Sequence, residues 1–250
     1  LVGSQSYRDQ WLEEGLAEFS AALVLQAAGG AKKFNDFWEK ARKWIVAKPI
    51  GASIANDEAG PITQGYRLST SKNLRAYQAM TYSKGAYVMH MLRTLMRDPA
   101  NPKPDEKFIA MMHDFVASYA GKNPSTRDFQ TVVERHMTPA MNAAGDGKMD
   151  WFFKQWVYGT EIPRYRQKLD ISKQGAGQYR ITGNVSQEGV SNDFRAQAYV
   201  YAEFSKGEIG RLGVLSLVGN ATTPLDVTLR LPKEPKHLLL NAYHDVLSRD

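Results

Sequence analysis

The spacing of apolar residues changes once along the chain, near residue 160, and this change constrains the fold more than any other feature. Before it, apolar residues recur with helical spacing, which predicts helices over about 7–28, 31–47, 77–97, 105–119, 125–136 and 150–158. After Pro163, short alternating stretches such as "QYRITGNVSQ" and "PLDVTLRLP" predict six strands. We therefore expect a multidomain α + β chain, all-α over residues 1–162 and an antiparallel β-sandwich over residues 163–250.

Local signals set the limits of several helices. Gly29-Gly30 should end the first helix, and Ser125 and Thr126 are the expected N-caps of a later one. The segment "KPIGASIANDEAGPITQGYRLSTSKNL" between helices is rich in Gly, Ser, Asn and Pro. A connection of this length inside a compact domain is usually functional or wraps a surface.

Composition excludes some chemistry. The chain contains no cysteine, which rules out disulfides, thiolate metal sites and a cysteine nucleophile. Its net charge is +6, and the densest basic stretch is "AKKFNDFWEKARKW". The apolar residues there form a core stripe, and the lysines lie on the solvent-facing side: the stripe consists of Phe34, Phe37, Trp38 and Ala41. We therefore expect no nucleic-acid partner.

The stretch "QWLEEGLAEF" places several carboxylates beside an apolar helix face. Glu14 and Glu18 are four residues apart and share one face, whereas Glu13 points elsewhere. On spacing alone, paired glutamates on a helix are usually solvated.

The residues around Glu14 change this interpretation. The pattern W-L-x-E-G-x-A-E-F, from Trp11 to Phe19, resembles the third-ligand helix of the gluzincin zinc aminopeptidases, the membrane alanyl aminopeptidase type related to leukotriene hydrolase. The resemblance implies that Glu14 is a zinc ligand. It also implies that Glu18 accepts a hydrogen bond from a zinc-bound histidine. Position 13 is usually asparagine in the family and is Glu13 here, but that side chain is not the ligand.

A second motif follows about seventy residues later, in the family's order. "AYQAMTYSKGAYVMHML" resembles the Y-x-K-G segment of the same family. The resemblance implies that Tyr82 is catalytic and donates a hydrogen bond to the oxyanion of the tetrahedral intermediate. It also implies that Tyr77 lines the substrate pocket.

The same resemblance extends to the fold. It implies that the helical part is the thermolysin-like C-terminal half of a metallopeptidase catalytic domain, followed by an antiparallel β-sandwich. No H-E-x-x-H motif, which would carry two zinc ligands and the general base, occurs in the sequence. Thirteen residues precede Glu14, fewer than separate it from that motif in the family. The histidines are His90, His113, His136, His237 and His244, and none forms the missing pair.

We therefore interpret the chain as the C-terminal portion of a zinc aminopeptidase that acts on peptide substrates. Zn²⁺ is expected in the full-length parent and not in this chain, which should be inactive alone. Its partners would be the missing N-terminal domains of the same protein, and exposed apolar surface makes an oligomer possible. A periplasmic or membrane-associated location is favoured by analogy. The alternatives are a relative that has lost catalysis and a module that binds peptides or glycans.

Overall fold

The chain folds into a helical unit followed by a β unit. A computed structural model describes residues 2–205 and 207–250 and divides them into two compact units, Leu1–Thr160 and Glu161–Asp250. The predicted fold class, a helical part followed by a β-rich part, is confirmed. Within the described residues, no helix combines the length and apolar character needed to cross a bilayer.

The helical unit contains five α-helices among the described residues and one π-helix. They are α1 (Gln10–Ile45), the π-helix (Gln78–Lys84), α2 (Gly85–Met96), α3 (Glu106–Tyr119), α4 (Thr126–Arg135) and α5 (Asp150–Trp156). The backbone of α1 leaves the helical region at Gly30, where φ is 70°. The predicted break at Gly29-Gly30 is therefore present as a kink, since glycine adopts positive φ without a Cβ clash.

The long segment between α1 and the π-helix is folded. It contains two 3₁₀-helices, Asp57–Ala59 and Ile62–Leu68. Asn56 and Asn73 are buried, and the Asn73 side-chain amide donates to Asn56 Oδ1 at 2.9 Å. This hydrogen bond joins Asn56, in the first third of the segment, to Asn73 near its end, and satisfies two polar groups that burial would otherwise leave without partners.

Helix α2 forms the centre of the helical unit, because all twelve of its residues are buried. His90 of this helix stacks on Trp38 of α1, with ring centroids 4.2 Å apart and planes 9° apart. Trp38 and Ala41 are buried as the core stripe predicts, while Lys32 and Lys33 are exposed. His90 is therefore a packing residue of the core.

The start of α4 is held in two ways. Ser125 is its N-cap and forms a reciprocal capping box with Asp128. Asp9, at the start of α1, accepts hydrogen bonds from the backbone N–H and the hydroxyl of Thr126, at 2.7 Å and 2.8 Å. The indole of Trp11 donates to the same hydroxyl at 3.0 Å. These contacts join the N-termini of α1 and α4.

The β unit contains six strands in the part of the chain that the structure describes. They are β1 (Arg164–Gly175), β2 (Gln178–Glu188), β3 (Arg195–Ser205), β4 (Glu208–Val218), β5 (Thr222–Arg230) and β6 (His237–Leu240). All pairings are antiparallel, and the strand orders of the two sheets are β1-β2-β5 and β4-β3-β6. Alternate residues such as Tyr179 and Ile181 of β2 are buried, as the alternating pattern predicts.

Candidate active site

The predicted site depends on a close contact between α1 and the helical segment formed by the π-helix and α2. A Cβ added to Gly15 would lie 2.7 Å from the carbonyl carbon of Gly85, closer than real Cβ atoms come to other heavy atoms. A Cβ added to Gly85 would lie 3.1 Å from the backbone oxygen of Trp11. The helices therefore meet backbone to backbone, which only glycine at both positions allows.

This contact brings together the neighbours of the two glycines. Glu14 immediately precedes Gly15, and Tyr82 lies three residues before Gly85. Both side chains are half-buried, and the Glu14 carboxylate and the Tyr77 phenol lie close enough to the Tyr82 hydroxyl to raise its pKa. Three residues predicted from two separate motifs thus lie in one place.

The π-helix explains how Tyr77 reaches Tyr82. Residues five apart on an α-helix are separated by about 140° around the axis and do not face each other. In the π-helix, hydrogen bonds connect residues five apart, as between the Gly85 N–H and the Met80 oxygen. Tyr77 and Tyr82 accordingly form an edge-to-face pair with ring centroids 5.6 Å apart and planes at 89°. This wider turn at the site is a signal that helical periodicity in the sequence does not reveal.

The environment of Tyr82 keeps its phenol protonated. Desolvation is the largest cause that raises the pKa of Tyr82, and the hydrogen-bonding contacts with Glu14 and Tyr77 raise it further. A phenolate beside the Glu14 carboxylate would place two negative charges together, which is unfavourable. Tyr82 is therefore a hydrogen-bond donor at all physiological pH values.

Glu18 lies one turn after Glu14 on the same face of α1. Its carboxyl group is half-buried, and desolvation raises its pKa. Among the described residues, Glu18 has no hydrogen-bond or ion-pair partner. Glu13 is exposed on a different face, as predicted.

Lys84 is a site-adjacent residue to which the sequence motifs gave no role. Its side chain is completely buried, and its ammonium donates to the Gly159 backbone oxygen at 2.9 Å. Desolvation lowers the pKa of Lys84 to about 8, while the nearby Asp57 carboxylate opposes this change. The signal in the sequence is one lysine inside the largely apolar helical stretch "QAMTYSKGAYVMHML".

Among the described residues, no group of three or more His, Cys, Asp or Glu side chains could hold a metal ion. Catalytic zinc takes three protein ligands and one open position. Glu14 has the right donor chemistry for one of these ligands, so the described residues fit a zinc site in part and not as a complete set.

Comparison with known proteins agrees with this picture of the helical unit. The model of the peptidase family M1 domain matches residues 1–156. The fold is similar to the crystal structure of Legionella pneumophila aminopeptidase A in complex with aspartic acid, with a TM-score of 0.62 at 15% sequence identity. That match covers 98% of this chain and 24% of the other, so the chain spans about a quarter of that protein. Comparison with curated protein sequences gives no match.

Proposed function

Because the chain belongs to peptidase family M1, we propose that it supplies one wall of the active site of a zinc-dependent aminopeptidase that removes N-terminal residues from peptides. The family membership confirms the resemblance that the motifs around Glu14 and Tyr82 indicated. The single observation that carries the proposal is the contact of these two side chains across the Gly15–Gly85 crossing.

In this proposal, Glu14 is one of three protein ligands of the metal. The other two, and the general base, come from an H-E-x-x-H motif outside these residues, in a longer polypeptide. Zinc, when bound, supplies a Lewis acid for the scissile carbonyl and lowers the pKa of its water. Glu18 accepts a hydrogen bond from one of the ligating histidines and fixes the orientation of its ring.

Tyr82 acts as the neutral donor to the oxyanion. Its raised pKa keeps the proton on the phenol, and its contact with Tyr77 holds the ring in one orientation. A preorganised donor aimed at developing negative charge contributes about 3–4 kcal/mol to lowering the barrier. Tyr77 lies beside this hydroxyl and lines the space that the substrate occupies. Because the chain carries one metal ligand of the three, it is expected to hydrolyse nothing alone.

The experiment compares variants of a longer polypeptide that joins this chain to an H-E-x-x-H helix. Tyr82→Phe should lower kcat about 100-fold or more on an aminoacyl anilide, with little change in KM or zinc content, because only the transition state loses a donor. Glu14→Gln should lower both zinc content and activity. Tyr119→Phe, which removes a phenol bonded to Asp128 on the same unit, is the matched control and should leave kcat unchanged.

The outcomes separate this proposal from its alternatives. Unchanged kcat in Tyr82→Phe would refute the donor role. A longer polypeptide that binds peptides but has no activity with zinc present would favour the alternative of a relative that has lost catalysis.

A further inference from the structure

A pocket of about 670 Å³ lies in the helical unit beside the start of α1. Guanidinium groups from three separate segments line it: Arg8 before α1, Arg67 from the second 3₁₀-helix and Arg127 from α4. A concave site of this size accommodates a small ligand group rather than a flat macromolecular surface. None of the roles assigned to Glu14, Glu18, Tyr77 or Tyr82 uses this pocket.

Two of the guanidinium groups are arranged around one phenol. Arg8 Nε donates to the Tyr7 hydroxyl at 3.1 Å, and the Arg67 guanidinium carbon lies 4.3 Å from the centre of the Tyr7 ring. The hydrogen bond from Arg8, and then the charges of Arg67 and Arg8, lower the pKa of the Tyr7 phenol. The ring thus holds two cations close together at the wall of the pocket.

Positive charge exceeds negative charge in the lining of the pocket, where three arginines face one carboxylate, that of Asp9. In the part of the chain that the structure describes, Arg8 and Arg67 have no carboxylate within ion-pair distance. Arg127 has Asp150 at 3.5 Å, but both side chains are mostly exposed. Asp9, the acidic residue lining the pocket, already accepts hydrogen bonds from Ser6 and Thr126. The two terminal nitrogens of Arg8 and the guanidinium of Arg67 are therefore available to an anion, and carboxylates match guanidinium geometry in a bidentate way.

The start of α1 packs closely against the second 3₁₀-helix, the segment that carries Arg67. Gln10 is the first residue of α1, and its side-chain oxygen approaches Gly65, the neighbour of pocket residue Gln64.

We propose that Arg8 and Arg67 form a carboxylate-binding site for a short peptide, whose carboxylate lies in this pocket. That the carboxylate belongs to a peptide rests on the proposed function. That the two arginines bind a carboxylate is independent of the proposed function. The carboxylate can come from the C-terminus of the peptide or from an acidic side chain.

The test is an NMR titration of the full ¹⁵N-labelled chain with trialanine, with trialanine amide and with Ala-Glu-Ala amide. Trialanine should shift the amide signals around Tyr7 and Arg67, and trialanine amide should bind about fivefold more weakly because it lacks the C-terminal carboxylate. Ala-Glu-Ala amide restores binding if a side-chain carboxylate is also accepted. Arg8→Gln and Arg67→Gln should each weaken trialanine binding about fivefold. Arg75→Gln, an exposed arginine outside the pocket, is the matched control.

Equal affinities for trialanine and its amide would overturn the proposal, as would full affinity in both arginine variants. Inorganic phosphate that binds as tightly as trialanine would also count against it, because recognition would then be of charge alone. These measurements need neither zinc nor turnover. If the chain binds carboxylates through Arg8 and Arg67 but the longer polypeptide has no activity, the proposed function is refuted and the carboxylate site is retained.

Discussion

At the scale of single residues, the buried ammonium of Lys84 makes the stability of the chain depend on pH. Burial lowers its pKa from 10.5 to about 8 in the folded chain, whereas the unfolded chain keeps the ordinary value. Between these two pH values the unfolded state binds a proton that the folded state has released. The free energy of unfolding therefore rises with pH across this window.

We expect Lys84→Met to remove this dependence. Between pH 8 and pH 10.5 the free energy of unfolding of the wild-type chain should rise by roughly 3 kcal/mol relative to that of Lys84→Met. Urea unfolding at a series of pH values measures it. Lys48→Met, at an exposed lysine, is the control and should give a curve parallel to that of the wild type. Parallel curves for Lys84→Met as well would show that the ammonium is not desolvated.

Sequence patterns predict which residues form the site more easily than they predict the contacts between those residues. The motifs single out Glu14, Tyr77 and Tyr82, and the structure places these side chains together. Helical periodicity would put Tyr77 and Tyr82 on different faces, because a five-residue hydrogen-bond pattern leaves no trace in apolar spacing. The contact of Lys84 with Gly159 joins residues 75 positions apart, a separation that local patterns do not encode. The roles of these residues stay predictions.

At the scale of elements, the crossing of α1 with the π-helix and α2 depends on two glycines without side chains, Gly15 and Gly85. Gly15→Ala should lower the free energy of unfolding by about 1–3 kcal/mol, because its Cβ would meet the Gly85 backbone and force the helices apart. Ala is otherwise the better helix residue by about 1 kcal/mol, so the sign of the change identifies the contact. Urea unfolding gives the comparison.

The same helix offers a matched control. A Cβ at Gly29 would meet the flexible side chain of Lys33 and no backbone atom in its nearest contacts. Gly29→Ala should therefore be neutral or stabilising by up to about 1 kcal/mol. If Gly15→Ala behaved like Gly29→Ala, the close approach of the two helices would not exist in solution.

Most helices and strands were predictable because each carries its own periodicity and end signals. The break in α1 at Gly30 and the N-cap at Ser125 follow from glycine conformation and from side-chain capping. Thr126 is the first residue of α4 and not its cap. The two 3₁₀-helices of the long segment were missed, since short 3₁₀ turns lack an amphipathic repeat and depend on tertiary contacts such as Asn56 with Asn73.

At the scale of the whole molecule, the set of metal donors decides what the chain can bind. One carboxylate of a three-ligand site holds zinc weakly. Isothermal titration of the chain with Zn²⁺ should show no submicromolar one-to-one binding, and Glu14→Gln should give the same weak isotherm. Tight one-to-one binding, lost in Glu14→Gln, would mean that this chain carries a complete zinc site.

The order of a helical unit and a β unit could be read from the change of apolar period near residue 160, because the two periods reflect different backbone geometries. The arginine pocket could not be predicted in this way. Arg8, Arg67 and Arg127 come from distant parts of the sequence, and each looks like an ordinary surface residue in its own segment.

The complete burial of α2 has a consequence for motion. Segments with buried, fully hydrogen-bonded backbone are the last to open in local fluctuations, and exposed ends open first. The π-helix continues directly into α2, so Tyr82 in the π-helix is attached to the slowest-opening part of the unit. Its position should therefore persist on the timescale of unfolding of the whole helical unit, and not on the faster timescale of a surface loop.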